Sequence, residues 1–136
     1  NHYKSSLRMF NDNKITGVGP RMFRVLCTEK KYHLWEGCST HPHNTYIQIL
    51  AETGLIGFIF FLGIFLVFLF SLFRHFFYKY TNQKIIFNDF QLCLLSAILI
   101  SIWPFTPTGD FFNNWLNIIY FFPVGFFLNS IYNSKT

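Results

Sequence analysis

Nineteen consecutive residues, Leu55–Phe73 (LIGFIFFLGIFLVFLFSLF), carry no charged side chain. At ~1.5 Å of rise per residue an α-helix of that length reaches about 28 Å, close to the ~30 Å hydrocarbon core of a bilayer. A run like this is a transmembrane helix. Its internal position, with no cleavage-type end, excludes a secretory signal peptide. Composition points the same way: 51% of residues are hydrophobic, 20 are Phe, and only 12% are charged, which places the chain among membrane rather than soluble proteins.

Two weaker apolar stretches follow. Residues 90–105 (FQLCLLSAILISIWPF) are short but nearly uncharged, and 115–132 (WLNIIYFFPVGFFLNSIY) contain Pro123 and Gly125, which membrane helices tolerate where neighbours satisfy the freed backbone groups. The expected architecture is an all-α integral membrane protein. It has about three transmembrane helices, near 55–73, 90–105 and 115–132, behind an outer-face segment, 1–54, with short helices. A single span followed by a re-entrant pair is the alternative. The chain does not begin with Met, so it reads as a fragment or a processed piece.

Charge sets the expected orientation. The loop after the first span holds Arg74, His75, Lys79 and Lys84 against Asp89, and cytoplasmic loops are the positive ones. The first span then runs outside to inside, the second returns, and the third ends inside near Lys135. Residues 1–54 and the connector 106–115 (TPTGDFFNNW) fall on the outer face. The front segment is basic too, with seven Lys or Arg against four Asp or Glu, but its positive charge nearest Leu55 is Lys31, too far upstream to count.

Cys27 and Cys38 lie eleven apart in that outer segment, around TEKKYHLWEG. In an oxidising compartment they can bridge, closing a small loop at a gain of about 3 kcal/mol on the chain-entropy model. Two free thiols or metal ligands are the rival reading. Cys93, in mid-span, reads as a small apolar packing residue.

The densest polar cluster stands directly before the first span: CSTHPHNTYIQILAET, 38–53. Cys38, His41 and His43 form C-x-x-H-x-H, with His33 near, but the spacing matches no common structural zinc pattern, Pro42 splits the histidines and no carboxylate adjoins them. No metal is expected. Acid–base chemistry is the second reading, because an imidazole of pKa about 6.5 exchanges protons near neutrality. Asn44 sits at an N-cap position after Pro42, and 45–53 reads as a short helix with Tyr46 and Leu50 on one face and Gln48 and Glu52 on another. Gly54 can end it. A helix start also favours anions such as phosphate. A solvated loop histidine remains the plain alternative for His43.

The run His43-Asn44, nine residues, Gly54, two residues, Gly57 resembles the H-[NSQ]-x9-G-x-x-G signature of the O-antigen ligase and polymerase superfamily. Residues 11–24 (NDNKITGVGPRMFR) are similar to the segment of those proteins that carries G-V-G-P-G-x-F, and 103–115 (WPFTPTGDFFNNW) to their last outer loop. The three segments come in the family's order and cover most of the chain.

The resemblance implies a multi-spanning transferase of the bacterial inner membrane, with its active face periplasmic. Such enzymes move a glycan from a polyprenyl-diphosphate carrier to an acceptor hydroxyl, on lipid A–core for ligases or on another carrier-linked repeat for polymerases. They use no metal or other cofactor. Donor, acceptor and membrane lipids are the expected partners; nucleic acid is not. His43 matches the motif histidine, the implied general base toward the acceptor hydroxyl, with Asn44 beside it in the site. Arginines in the family hold the donor diphosphate, as suits a planar fork that keeps its charge. This chain has Arg21 where the family often has Gly, and the family's diphosphate arginines usually lie farther upstream. Arg21, Arg24 and Arg8 are therefore candidates by charge and side only, with solvated loop arginines as the rival reading. Asp110 and Asn113 lie in the last loop, within reach of sugar hydroxyls, though T-G-D also reads as a turn. Trp115 reads as an interfacial anchor. A non-catalytic membrane-anchored binding segment is the reading from another class. Alone, these residues are expected to be inactive for want of the remaining helices of a donor site.

Overall fold

The computed structural model describes residues 1–133, so Lys135, at the expected inner end of the last span, lies outside the described residues. Those residues form five α-helices and no strand: α1 His2–Asp12, α2 Phe23–Leu26, α3 Thr45–Asn82, α4 Asp89–Ser101 and α5 Asn114–Asn133. Two of them, α3 over Thr45–Thr81 and α5, are long and apolar enough to cross a membrane. The α3 side chains bear this out: Ile56, Ile59, Phe60, Val67, Phe70 and Phe73 are all exposed, which suits lipid and not water. α4, the expected middle span, has 13 residues, about 20 Å of helix, well short of a bilayer core. Asn88 and Gln91 close its start in a capping box, and its last turn ends at Ile102, before Pro104.

The chain divides into two compact units. The first joins residues 1–62 to 104–116, and the second joins 63–103 to the residues from 117 onward. In the second unit Phe68 and Phe87 meet Phe127 of α5, and Gln91 Nε2 donates to the Ser130 carbonyl (3.1 Å). His75, counted above among the positive loop residues, is buried. Its Nδ1 accepts the Phe87 N–H (3.2 Å) and its ring stacks on Phe87.

The first unit is built around a small core of Met9, Phe23, Cys27, Tyr32 and Ala51. Cys27 and Cys38 are disulfide-bonded, with Cα atoms 5.1 Å apart. The loop they close is tied to α1. Ser5 Oγ donates to the Tyr32 carbonyl, Tyr32 Oη to Asp12 (2.6 Å), and Lys31 pairs with Asp12 (2.6 Å).

The defining feature of this unit is a break in α3. Gly54 leaves the helical region (φ 66°, ψ −161°), so the helix bonds that would cross it are lost. Residues 14–19 replace them. The Leu55 and Ile56 N–H groups donate to the carbonyls of Lys14 (2.9 Å) and Ile15 (3.3 Å), while the Ala51 and Glu52 carbonyls accept from Val18 (3.0 Å) and Gly19 (2.9 Å). A helix break beside an apolar, membrane-length helix must have its backbone groups satisfied by protein, and residues 14–19 do so here. The approach leaves no room for side chains. A Cβ on Gly17 would overlap the Glu52 and Thr53 backbone, and one on Gly54 would overlap Ile15 and Gly17. Both glycines also hold positive φ.

Candidate functional site

Asn44 caps α3 as its position in the sequence suggests: its Oδ1 accepts the Ile47 N–H (3.0 Å). Its Nδ2 donates to the Pro104 carbonyl (2.8 Å), so the capping residue also grips the late connector. Three further bonds fasten the same two segments. Thr108 N donates to the His43 carbonyl (3.1 Å), Thr45 Oγ1 to Thr108 Oγ1 (2.8 Å), and His41 Nε2 lies 3.2 Å from the Thr108 carbonyl. The helix start that carries the His motif and the loop 104–110 are thus one structural element, although 60 residues separate Asn44 from Pro104.

His43 is exposed and sits at φ 61°, a left-handed conformation that a non-glycine residue holds only where its surroundings fix it. The buried Pro42 before it, the Asn44 cap after it and the Thr108 N–H on its carbonyl supply that constraint. Its ring packs against His41 (centroids 4.3 Å apart) and edge-on to His2 (5.2 Å). His41 is half-buried. Burial pushes its pKa below the ordinary histidine value and the neighbouring His43 pushes the same way; the Thr108 carbonyl and Asp110 oppose, and Arg24 adds the smallest downward push. The site thus disfavours protonation of the His41 ring that packs against His43.

Below the helix start lies a buried polar network. Gln48 and Glu52 are each 1% exposed. Gln48 Nε2 donates to Asp110 Oδ1 (2.7 Å) and Glu52 Oε2 (3.2 Å), and Gln48 Oε1 accepts the Phe111 N–H (2.9 Å). Glu52 accepts the N–H groups of Phe23 (2.8 Å) and Arg21 (3.0 Å). Asp110 accepts the Phe112 N–H (3.1 Å) and pairs with Arg24 Nη2 at 2.7 Å.

The expected site residues separate accordingly. His43, Asn44, Arg24 and Asp110 are brought together around the α3 start, with Arg24 half-buried and Asp110 buried. Arg21 is exposed and contributes its backbone N–H to Glu52. Arg8 lies elsewhere, where its Nη1 reaches the carbonyls of Lys31 (3.5 Å) and His33 (3.4 Å) and braces the disulfide loop. Cys38, bonded to Cys27, is not free to act as a thiolate ligand, and among the described residues no group of three or more His, Cys, Asp or Glu is placed to hold a metal. Sequence reasoning saw Gln48 and Glu52 only as one face of a short helix. Two uncompensated polar side chains one turn apart, just before a membrane span, were the available sign that partners come from elsewhere in the chain.

Comparison with curated proteins and with solved structures gives no match. Residues 1–62, which hold α1, α2, the stitched 14–19 segment and the whole histidine motif, match the family model described as O-antigen ligase. Over that stretch the chain is similar to the O-antigen ligases, the resemblance its motif carries.

Proposed function

We propose that this chain is part of a membrane glycosyltransferase of the O-antigen ligase kind, moving a glycan from a polyprenyl-diphosphate carrier onto a lipid A–core hydroxyl at the periplasmic face of a bacterial inner membrane. The observation that carries this reading is an exposed His43 at a rigidly capped helix start, directly before a membrane-length helix, within the segment similar to O-antigen ligases. A carrier held in the membrane by its lipid tail presents its diphosphate at that interface, so a base acting on the incoming hydroxyl belongs there.

The chemistry is a displacement. The acceptor oxygen attacks the anomeric carbon, the bond from that carbon to the diphosphate oxygen breaks, and the hydroxyl proton passes to His43. The polyprenyl diphosphate leaves with the bonding electrons. Arg24 is the arginine best placed to hold its charge, since its field reaches His41, which touches the His43 ring. Arg21 and Arg8 have no such placement. Asn44 and Asp110 fix the helix start and Arg24 respectively. A base of this type commonly contributes roughly 10²–10⁴ in rate. These residues alone are expected to be inactive, because the donor site needs further helices.

The test is a lipopolysaccharide gel from bacteria lacking their own ligase, carrying the protein as its gene encodes it. A polysaccharide ladder restored by wild type and lost with His43→Ala is the expected result. Equal ladders from both would discard His43 as the base. No ladder from well-expressed wild type would move the acceptor from lipid A–core to a carrier-linked repeat, as in a polymerase.

A further inference from the structure

We infer that Gln48 and Glu52 are positioning residues that hold Arg24 at both of its ends, an inference that rests on the transferase reading above, in which Arg24 meets the donor diphosphate. Held there, Arg24 lies within the field of the His41 ring that packs on His43. Two polar side chains buried to 1% exposure in the opening turns of an otherwise apolar helix carry a desolvation cost that only specific partners offset. The partners here converge on one residue. Glu52 takes the N–H groups of Arg21 and Phe23, so its two oxygens fix the backbone on which Arg24 follows. Gln48 fixes the other end. Its Oε1 is occupied by the Phe111 N–H, which orients the amide so that both Nε2 hydrogens face carboxylates, Asp110 and Glu52. Asp110, held in turn by Gln48 and by the Phe112 N–H, receives the Arg24 guanidinium at 2.7 Å.

Gln48 and Glu52 stand at i and i+4, so they share one face of α3. His43 and its capping Asn44 open the same helix. The first turns of α3 therefore act as a ruler: one rigid element sets the position of the histidine, the backbone of Arg24 and, through Asp110, the head of Arg24. The guanidinium keeps exposure for a ligand, with its side chain 35% accessible.

The test is a double-mutant cycle on the protein as its gene encodes it, in detergent or nanodiscs, with inorganic pyrophosphate as the probe in calorimetry. Gln48→Met keeps length and volume but removes the donors and the acceptor. It is expected to weaken pyrophosphate binding about tenfold in an otherwise wild-type protein and less than about twofold in an Arg24→Ala background, since the effect passes through Arg24. Asp110→Asn, which keeps an acceptor for the Phe112 N–H, should give the same coupled signature if Gln48→Met fails to fold, with an intact Cys27–Cys38 bridge on a non-reducing gel as the check on folding. Losses that simply add to that of Arg24→Ala mark a purely structural role and overturn the inference. So does wild-type protein without Arg24-dependent pyrophosphate binding. The cycle needs no turnover, so a His43→Ala protein that still transfers glycan would remove the base assignment and leave this question to be decided separately.

Discussion

Arg24 and Asp110 are 86 positions apart in sequence, and their charged groups meet at 2.7 Å. The pair joins α2 to the late connector and sits on the buried Gln48 amide, so it welds the segments flanking the start of the first long helix into one compact unit.

Removing one member of this pair leaves the other with an unbalanced charge. Arg24→Ala strands the buried Asp110 carboxylate near Glu52, a like charge held through the same amide. Because Arg24 is partly solvated, the loss is expected at roughly 1–3 kcal/mol, below that of a fully buried pair. Asp110→Asn, which keeps an oxygen for the Phe112 N–H, should cost less, about 1 kcal/mol. Melting followed by tryptophan fluorescence in detergent measures both, and an Arg24→Ala protein as stable as wild type would remove the pair from the account of this unit.

The stitched break at Gly54 makes a sharper demand. Gly54→Ala and Gly17→Ala each force a side chain into positive φ, worth roughly 1–3 kcal/mol, and onto neighbouring backbone that has nowhere to move. Gly63→Ala is the control: it is helical, with open space around the added carbon, and should be neutral or slightly stabilising. Yield of folded, membrane-inserted protein for the three variants reads this out, with the first two falling and the third holding.

The Cys27–Cys38 bridge closes a loop whose ends are eleven apart, a gain of about 3 kcal/mol on the entropy model. Cys27→Ser/Cys38→Ser is expected to lower the melting temperature and expose residues 28–37 to limited proteolysis. Because Cys38 leads within five residues to His43, and Cys27 follows Arg24 by three, glycan transfer should fall with it. Unchanged protease resistance in the double variant would show that the α1 contacts of Ser5, Asp12 and Arg8 hold the loop without the bridge.

The local devices of this chain were open to a sequence reading, and its long-range ones were not. The Asn44 cap and the helix break at Gly54 each depend on a residue and its near neighbours, and each is found where the pattern puts it. The apolar helix, by contrast, runs past Phe73 to Asn82, so Arg74, His75 and Lys79, expected in a loop, stand on α3. Three features depended on partners far along the chain. The resumption of the helix straight after Gly54 needs residues 14–19 to supply its missing bonds, and no periodicity announces that. The burial of Gln48 and Glu52 needs Asp110 and the start of α2. The separation of Arg24 from Arg8 needs the fold itself, because charge and side treat them alike. For 90–105 hydropathy overreached: the helix stops at Ser101 with Ile102 as its cap, and Pro104 and Phe105 belong to the connector.

The pH response follows from His41. Its folded pKa lies below the ordinary histidine value, so the fold favours the neutral ring and the unfolded chain binds the proton more readily. The contribution is fully present above about pH 6.5 and is lost as pH falls through the lowered folded value. The groups facing the ring are His43 and Arg24, which disfavour its protonation, and Asp110, which favours it but is already engaged by Arg24. Asp12 acts in the same direction in a lower window. The Lys31 ammonium and the Tyr32 hydroxyl hold its carboxyl below the usual range, so its contribution disappears only below about pH 4. Melting temperature measured from about pH 8 down to about pH 2 should therefore fall in two steps. His41→Gln, which keeps a polar group for the Thr108 carbonyl but does not titrate, should flatten the upper step and leave the lower one. An upper step that survives in His41→Gln would overturn its assignment to His41.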